Sequence, residues 1–186
     1  MRRRVLLWLG AAAPIAARAQ DALDAVMRAL ASVRVSRARF EEAKEIAGLG
    51  GTLASAGVLS WQAPDLIERH TTEPFEEILT IRGERLTYQR PGQNIRREFA
   101  LSTAPELRPL AEGLRAVLAG DLPALQRDFE VEFSGNPAAW TLRLAPRAFA
   151  ARAAVQRVTF SGEGGTIRRV ETVGNESTTM VVTPLP

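Results

Sequence analysis

The amino-acid sequence predicts a mainly β fold of the α+β class, a curved antiparallel sheet of about eleven strands capped by helices. Three observations carry this expectation. Runs of alternating apolar residues fill most of the chain, turn residues interrupt them roughly every eight to twelve positions, and only two stretches of any length have helical spacing.

The first of these stretches is 21 to 33, where Leu23, Val26, Met27 and Leu30 fall at i, i+3, i+4 and i+7 behind Asp21, a candidate N-cap. From Val35 to Ile46 the period changes to two and predicts a long strand, followed by a turn over Gly48 to Gly51. A meander follows: Val58 to Gln62, Leu66 to Thr71, Glu76 to Ile81, Arg85 to Gln89 and Ile95 to Leu101. Its turns are Ala63-Pro64-Asp65, Arg82-Gly83-Glu84 and Arg90-Pro91-Gly92. Between Pro105 and Leu118 the spacing is again helical, with Leu107, Leu110, Leu114, Val117 and Leu118 on one face and Gly120 as the terminating residue. Asp121 caps a short helix to Arg127. Strands at Phe129 to Ser134, Trp140 to Leu144, Val155 to Ser161, Ile167 to Val173 and Ser177 to Thr183 complete the order: helix, six strands, two helices, five strands.

Charge is distributed unevenly. The 186 residues carry 24 bases and 21 acids, a formal net charge of +3. Arg2, Arg3, Arg4 and Arg18 lie in the first nineteen residues, which contain no acid, so the remainder has 20 bases against 21 acids and a net charge of −1. That balance gives no electrostatic footprint for nucleic acid, and aromatics at 6% are too few for a base-stacking platform. The first nineteen residues order a basic start, an apolar run from Val5 to Ile15 and Ala17-Arg18-Ala19, the three parts of a secretory signal peptide. The expectation is cleavage after Ala19 and a single domain over 20 to 186 in the periplasm. Arg3-Arg4-Val5-Leu6-Leu7 resembles a twin-arginine signal, but the general secretory route is the expected one. The apolar run is well short of the roughly twenty residues that span a bilayer. With no Cys there is neither a disulfide nor an N-terminal lipidation site, so stability must come from core packing and strand pairing.

Catalytic constellations are missing from the sequence. His70 is the single histidine, and no nucleophile elbow, zinc helix or phosphate-binding glycine loop occurs, which argues against an enzyme and against a cofactor or metal. Glu41-Glu42, Glu76-Glu77, Glu130 and Glu132 read as charges on the outer face of strands, and Gly162, Gly164 and Gly165 as a hairpin. The apolar positions are more informative. Leu59, Trp61 and Ala63 are in phase, as are Leu79 and Ile81, Leu86 and Tyr88, Phe99 and Leu101, Phe129, Val131 and Phe133, and Trp140, Leu142 and Leu144. One side of the whole sheet is therefore apolar, either as an ordinary filled core or as a binding surface.

Two longer motifs resemble a known family. Gly57-Val58-Leu59-Ser60-Trp61-Gln62-Ala63-Pro64 and Glu76-Glu77-Ile78-Leu79-Thr80-Ile81-Arg82-Gly83-Glu84-Arg85-Leu86-Thr87-Tyr88 are similar to the LolA family of periplasmic lipoprotein carriers. Gly164 to Glu171 resembles the family's penultimate hairpin, and Leu114 to Asp121 a LolA-related branch. The resemblance spans nearly all of 20 to 186 in order. It implies an incomplete antiparallel barrel whose concave apolar face, lidded by helices, shelters the acyl chains of a lipoprotein or other lipidated cargo on the way to the outer membrane. A chain of about sixteen carbons represents on the order of 10 kcal/mol of hydrocarbon to be kept from water. The implied lipid-binding residues are Leu59, Trp61, Leu79, Ile81, Leu86, Tyr88, Phe99, Leu114, Leu118, Phe129, Val131, Trp140 and Leu142, with Leu23, Val26, Met27 and Leu30 on the lid helix. The implied partners are the cargo, an inner-membrane donor and an outer-membrane acceptor, and the implied carrier is a monomer.

Two departures stand out. Typical carriers place an arginine, which latches the lid, directly before the proline of the first motif; here Ala63 stands there, and Arg69 on the next strand is the candidate substitute. The chain also ends soon after the last matched strand, without the C-terminal extension of typical carriers, so a different handover and a non-standard cargo are expected. The alternative reading is a non-catalytic accessory protein of the same fold with a filled core, acting in export of a lipid or cell-envelope product.

Overall fold

The alternating segments form eleven strands in a computed structural model, described for residues 13–46, 51–104 and 107–186. In chain order the elements are α1 (Ala13–Ser32), β1 (Val35–Ile46), β2 (Thr52–Gln62), β3 (Leu66–Glu73), β4 (Glu77–Arg82), β5 (Arg85–Arg90), β6 (Ile95–Ala100), α2 (Arg108–Ala119), α3 (Leu122–Asp128), β7 (Phe129–Asn136), β8 (Ala139–Pro146), α4 (Phe149–Ala154), β9 (Val155–Glu163), β10 (Thr166–Gly174) and β11 (Glu176–Pro184). All belong to one sheet in the order β6-β5-β4-β3-β2-β1-β11-β10-β9-β8-β7, with antiparallel pairing throughout. β6 and β7 are edges that do not pair, so the sheet is not closed into a barrel. Charged residues on each edge, Arg96, Arg97 and Glu98 on β6 and Glu130 and Glu132 on β7, are exposed and discourage edge-to-edge association.

The expected element order holds, with differences at boundaries. β2 starts at Thr52 rather than Val58, since β1 continues to pair with it up to Glu45 opposite Thr52. α1 begins at Ala13, so Asp21 lies inside the helix and does not cap it; its neighbour Gln20 instead bonds Asp24 one turn on at 2.9 Å. The expected cleavage point after Ala19 falls within α1, and the basic start and most of the apolar run lie outside the described residues. Pro105, the expected start of the second helix, also lies outside them, and α2 is described from Arg108. Its C-cap is as expected: Gly120 has φ 64°, and its N–H reaches Ala116 O and Val117 O. A side chain at Gly120 would stand 2.1 Å from Met27 O, so the same glycine lets α2 end against α1. Asp121 caps α3 by accepting from Ala124 N at 3.0 Å. α4 is an element the sequence reading lacked.

Two cores result. Under α1 and α3, buried Leu23, Val26, Met27 and Leu30 meet Phe129, Trp140, Leu142, Leu144 and Phe160 from β7, β8 and β9. Under α2, Trp61, Ile67 and Ile81 meet Leu101 and Ala111. Among the described residues no helix is long and apolar enough to cross a membrane.

Candidate functional site

The inner face of the sheet is not filled uniformly. Ser36 and Ala38 of β1 point inward in phase with Phe40, and their small side chains leave space where the halves of the sheet meet. An apolar cavity of about 190 Å³ occupies it. Its walls are Leu59, Trp61 and Ile67 from β2 and β3, Phe160, Ile167 and Val170 from β9 and β10, and Val182 from β11. Residues from both halves lining one space show that the sheet curves around it. Leu30 and Val33 of α1 and the following turn, with Leu114 and Leu118 of α2, form the roof.

Specific hydrogen bonds hold that roof. Trp61 Nε1 donates to Val33 O at 3.0 Å, pinning the end of α1 to β2. Trp140 Nε1 donates to Gly164 O at 3.0 Å and fixes the β9–β10 hairpin, on whose Gly165 α1 rests so closely that a Cβ there would lie 2.5 Å from Ala29 O. α2 is tied across the sheet by Arg115, whose Nη2 donates to Gly83 O in the β4–β5 turn at 2.7 Å, while its Nε is buried without a partner. The most buried residues of α2 are Ala111, Gly113, Ala116 and Val117, with Leu114 and Leu118 half-buried beside them; Leu107, expected on the same face, is 43% exposed.

Of the residues named from the sequence, Leu59, Trp61, Leu114, Leu118 and Leu30 line the cavity. Ile81 and Leu86 pack beside Trp61 in the core under α2. Phe129, Trp140 and Leu142 do not line it: they are at most 2% exposed in the core under α1, with Val131 against them, and Leu23, Val26 and Met27 fill the same core. Phe99 is 47% exposed on edge strand β6, which has no neighbour on its far side to cover it.

Leu79 and Tyr88 face a second hollow of about 470 Å³ further along the same inner face, where charged and polar side chains stand among Leu53, Pro74 and Phe75. Here Arg69 bonds Glu42 through two nitrogens, Nη2 to Oε2 at 2.6 Å and Nη1 to Oε1 at 3.2 Å, and Ser55 Oγ donates to Glu42 Oε2 at 3.1 Å. The Arg69 guanidinium lies 4.5 Å from the Phe40 ring centroid. Thus Arg69 bonds strand residues, Glu42, Ser55 and Thr71, and does not latch the helices as expected. Glu77 Oε1 accepts from Tyr88 Oη and Arg90 Nε, each at 3.0 Å. The Arg90 hydrogen bonds hold the Glu77 carboxyl below the usual carboxylate range against the opposing effect of burial, with Tyr88 adding to the lowering. Glu42 and Glu77 therefore correct the outer-face reading. The phase was available in the sequence, since Glu42 follows Phe40 by two positions and Glu77 precedes Leu79 by two.

No catalytic arrangement emerges from the remaining candidates. His70 Nε2 meets exposed Glu76 at 3.0 Å, and Glu130 and Glu132 lie with Arg143 and Arg157 along a groove on β7–β9. Among the described residues no three His, Cys, Asp or Glu are grouped to hold a metal.

Comparison with known proteins fits this geometry. Residues 11–182 match the family described as outer membrane lipoprotein carrier protein LolA-like. Among curated proteins nothing matches. Solved structures similar to the chain include a LolA superfamily protein from Nitrosomonas europaea, at 10% identity and TM-score 0.45 over 89% of this chain and 91% of that one. Another is an outer membrane lipoprotein-sorting protein domain from Vibrio parahaemolyticus, at 9% identity and TM-score 0.45 over 88% and 91%. The family assignment rests on the sequence match across almost the whole chain, in agreement with an open eleven-stranded sheet that houses an apolar cavity under two helices: the chain belongs to the LolA-like family of outer membrane lipoprotein carrier proteins.

Proposed function

We propose that the protein is a non-catalytic periplasmic carrier, exported by its N-terminal segment, that shelters the acyl chains of a lipoprotein or another lipidated cargo between an inner-membrane donor and an outer-membrane acceptor. It acts as a monomer without a cofactor. The observation that carries this reading is the apolar cavity roofed by Leu30, Leu114 and Leu118. Such a site gains affinity from area and makes few directed bonds, which suits a carrier that must also release its load.

Its size sets a condition. Space of this order in an apolar core admits a benzene-sized group, roughly six carbons, whereas a full acyl chain needs the roof to move. α2 is the element suited to move, because its most buried residues are mostly small and, among the described residues, its polar ties to the sheet are only the Arg115 bond to Gly83 O and an exposed Arg108–Glu84 ion pair at 3.9 Å. The packed core under α1 favours a fixed wall there and is the feature that supports the accessory-protein alternative.

The test is binding of an environment-sensitive fluorescent acyl probe to the protein. Leu118→Glu, which sets a carboxylate into the roof, is expected to weaken binding at least about tenfold, since burying a charge without a partner is strongly disfavoured. A folded protein that leaves every acyl probe in water would refute the carrier reading and leave the accessory role.

A further inference from the structure

We propose that the second hollow beside the cavity is a subsite for a neutral, hydroxyl-bearing head on the cargo, so that the ligand is an amphiphile lying along the inner face with its tail under α1 and α2. This rests on the carrier reading and adds the head-group chemistry to it.

The two spaces adjoin along one row of the sheet. Leu59 on β2 stands opposite Arg69 on β3, which stands opposite Leu79 on β4. Leu59 lines the apolar cavity, Leu79 lines the hollow, and Arg69, held over the Phe40 ring, is the divide. Neighbours across a sheet are about 5 Å apart, so an amphiphile crosses from one space to the other within about 10 Å.

The charges select the head. Three cations face or border the hollow, and each already has its anion: Arg69 with Glu42, Arg90 with Glu77, and Lys44 with Glu176. The six groups sum to zero, and among the described residues no cation is left over at the hollow to repay the desolvation of a phosphate or carboxylate head. What the hollow offers is acceptors, the Glu77 and Glu42 carboxylates and the lone pairs of Tyr88 Oη and Ser55 Oγ, whose own protons are already donated to those carboxylates; a head that donates hydroxyl protons suits them. Phe75, 68% exposed at the rim and 6.0 Å from the Arg90 guanidinium, adds an apolar ring face for the carbon side of a polyol or sugar. Glyceryl and sugar heads share this chemistry.

The experiment displaces a fluorescent acyl probe with four ten-carbon amphiphiles below their micelle concentrations: decyl glucoside, monodecanoylglycerol, decanoate and decylphosphocholine. At least one of the hydroxyl-bearing pair is expected to bind about tenfold tighter than both charged heads, the scale of one or two net hydrogen bonds, and the ratio within the pair identifies sugar or glyceryl. Glu77→Gln, which leaves Arg90 without its anion, is expected to reduce that preference severalfold by weakening the hydroxyl-bearing heads and strengthening decanoate, and the surface change Phe75→Ala to reduce it severalfold with decanoate unchanged. If all four bind alike, the hollow does not read the head and the inference fails, while the carrier reading stands. If none displaces the probe because the probe itself never binds, the carrier reading fails first.

Discussion

Filling the cavity tests whether it is empty, because an empty space and a filled one predict opposite signs. Ala38 lies on the inner face of β1, opposite Leu59 on one side and Pro184 on the other, and lines the 190 Å³ space. Ala38→Leu adds three carbon groups, worth about 0.8 kcal/mol each when buried, or ~2.4 kcal/mol in all. Fully enclosed, a void of 190 Å³ would carry a cost of up to roughly 4.6 kcal/mol at about 24 cal/mol per Å³; this one is partly open and carries less, which still leaves enough to recover. The expected outcome is stabilisation by about 1–2 kcal/mol after side-chain ordering, read as a higher urea midpoint with unchanged slope. In the same protein the acyl probe should lose most of its affinity, because the added side chain occupies the space the probe needs. Destabilisation by about 1–3 kcal/mol, the usual penalty for overpacking, together with unaltered probe binding, would refute both the void and its role.

Two further outcomes follow from the polar contacts. Arg115→Met is expected to change stability by less than about 1 kcal/mol, because the bond to Gly83 O, worth about 1.5–3 kcal/mol, is offset by a buried, unpartnered Nε that costs a similar amount; a urea midpoint showing a loss near 3 kcal/mol would mean that the tie anchors α2 firmly and that the offset is absent. The pH dependence of stability should include Glu77: its folded carboxyl titrates below the unfolded one, so its contribution is complete above about pH 4.3 and is lost as pH falls through the depressed folded value. Glu77→Gln should accordingly destabilise the protein at neutral pH and converge with the parent in strong acid, as measured by urea unfolding across pH; a constant gap at every pH would exclude this origin.

Strand periodicity made the fold legible, because the alternation in β7 and β8 and the turn residues at Arg82-Gly83-Glu84 encode local geometry that each segment carries alone. α4 escaped because Phe149-Ala-Ala-Arg-Ala-Ala has no apolar stripe; Phe149 is 83% exposed and Ala151 alone is buried. The site was only half legible. Alternation tells which face of a strand a residue occupies, yet it cannot tell whether the space in front is filled, since that depends on side chains from remote strands. Phe129 and Trp140 meet α1 and fill it; Ser36 and Ala38, too small to reach the roof, leave it open. The clue to the cavity was small residues inward on β1, and the clue to the hollow was charged residues in phase with apolar ones. Both are weak against the general tendency of charges to face water.

The sheet order bears on when the protein can finish folding. β1 and β11 are neighbours in the middle of the sheet, with Phe40 opposite Val182, although nearly the whole chain separates them. Each half can form as a local meander, but joining them closes a loop of almost full length, and the entropy of that closure slows the last step. Until residue 184 is available, β1 lacks one partner and the cavity lacks the wall at Val182. If the chain is exported as proposed, this late central seam means that the apolar cavity cannot be complete before the last strand is available.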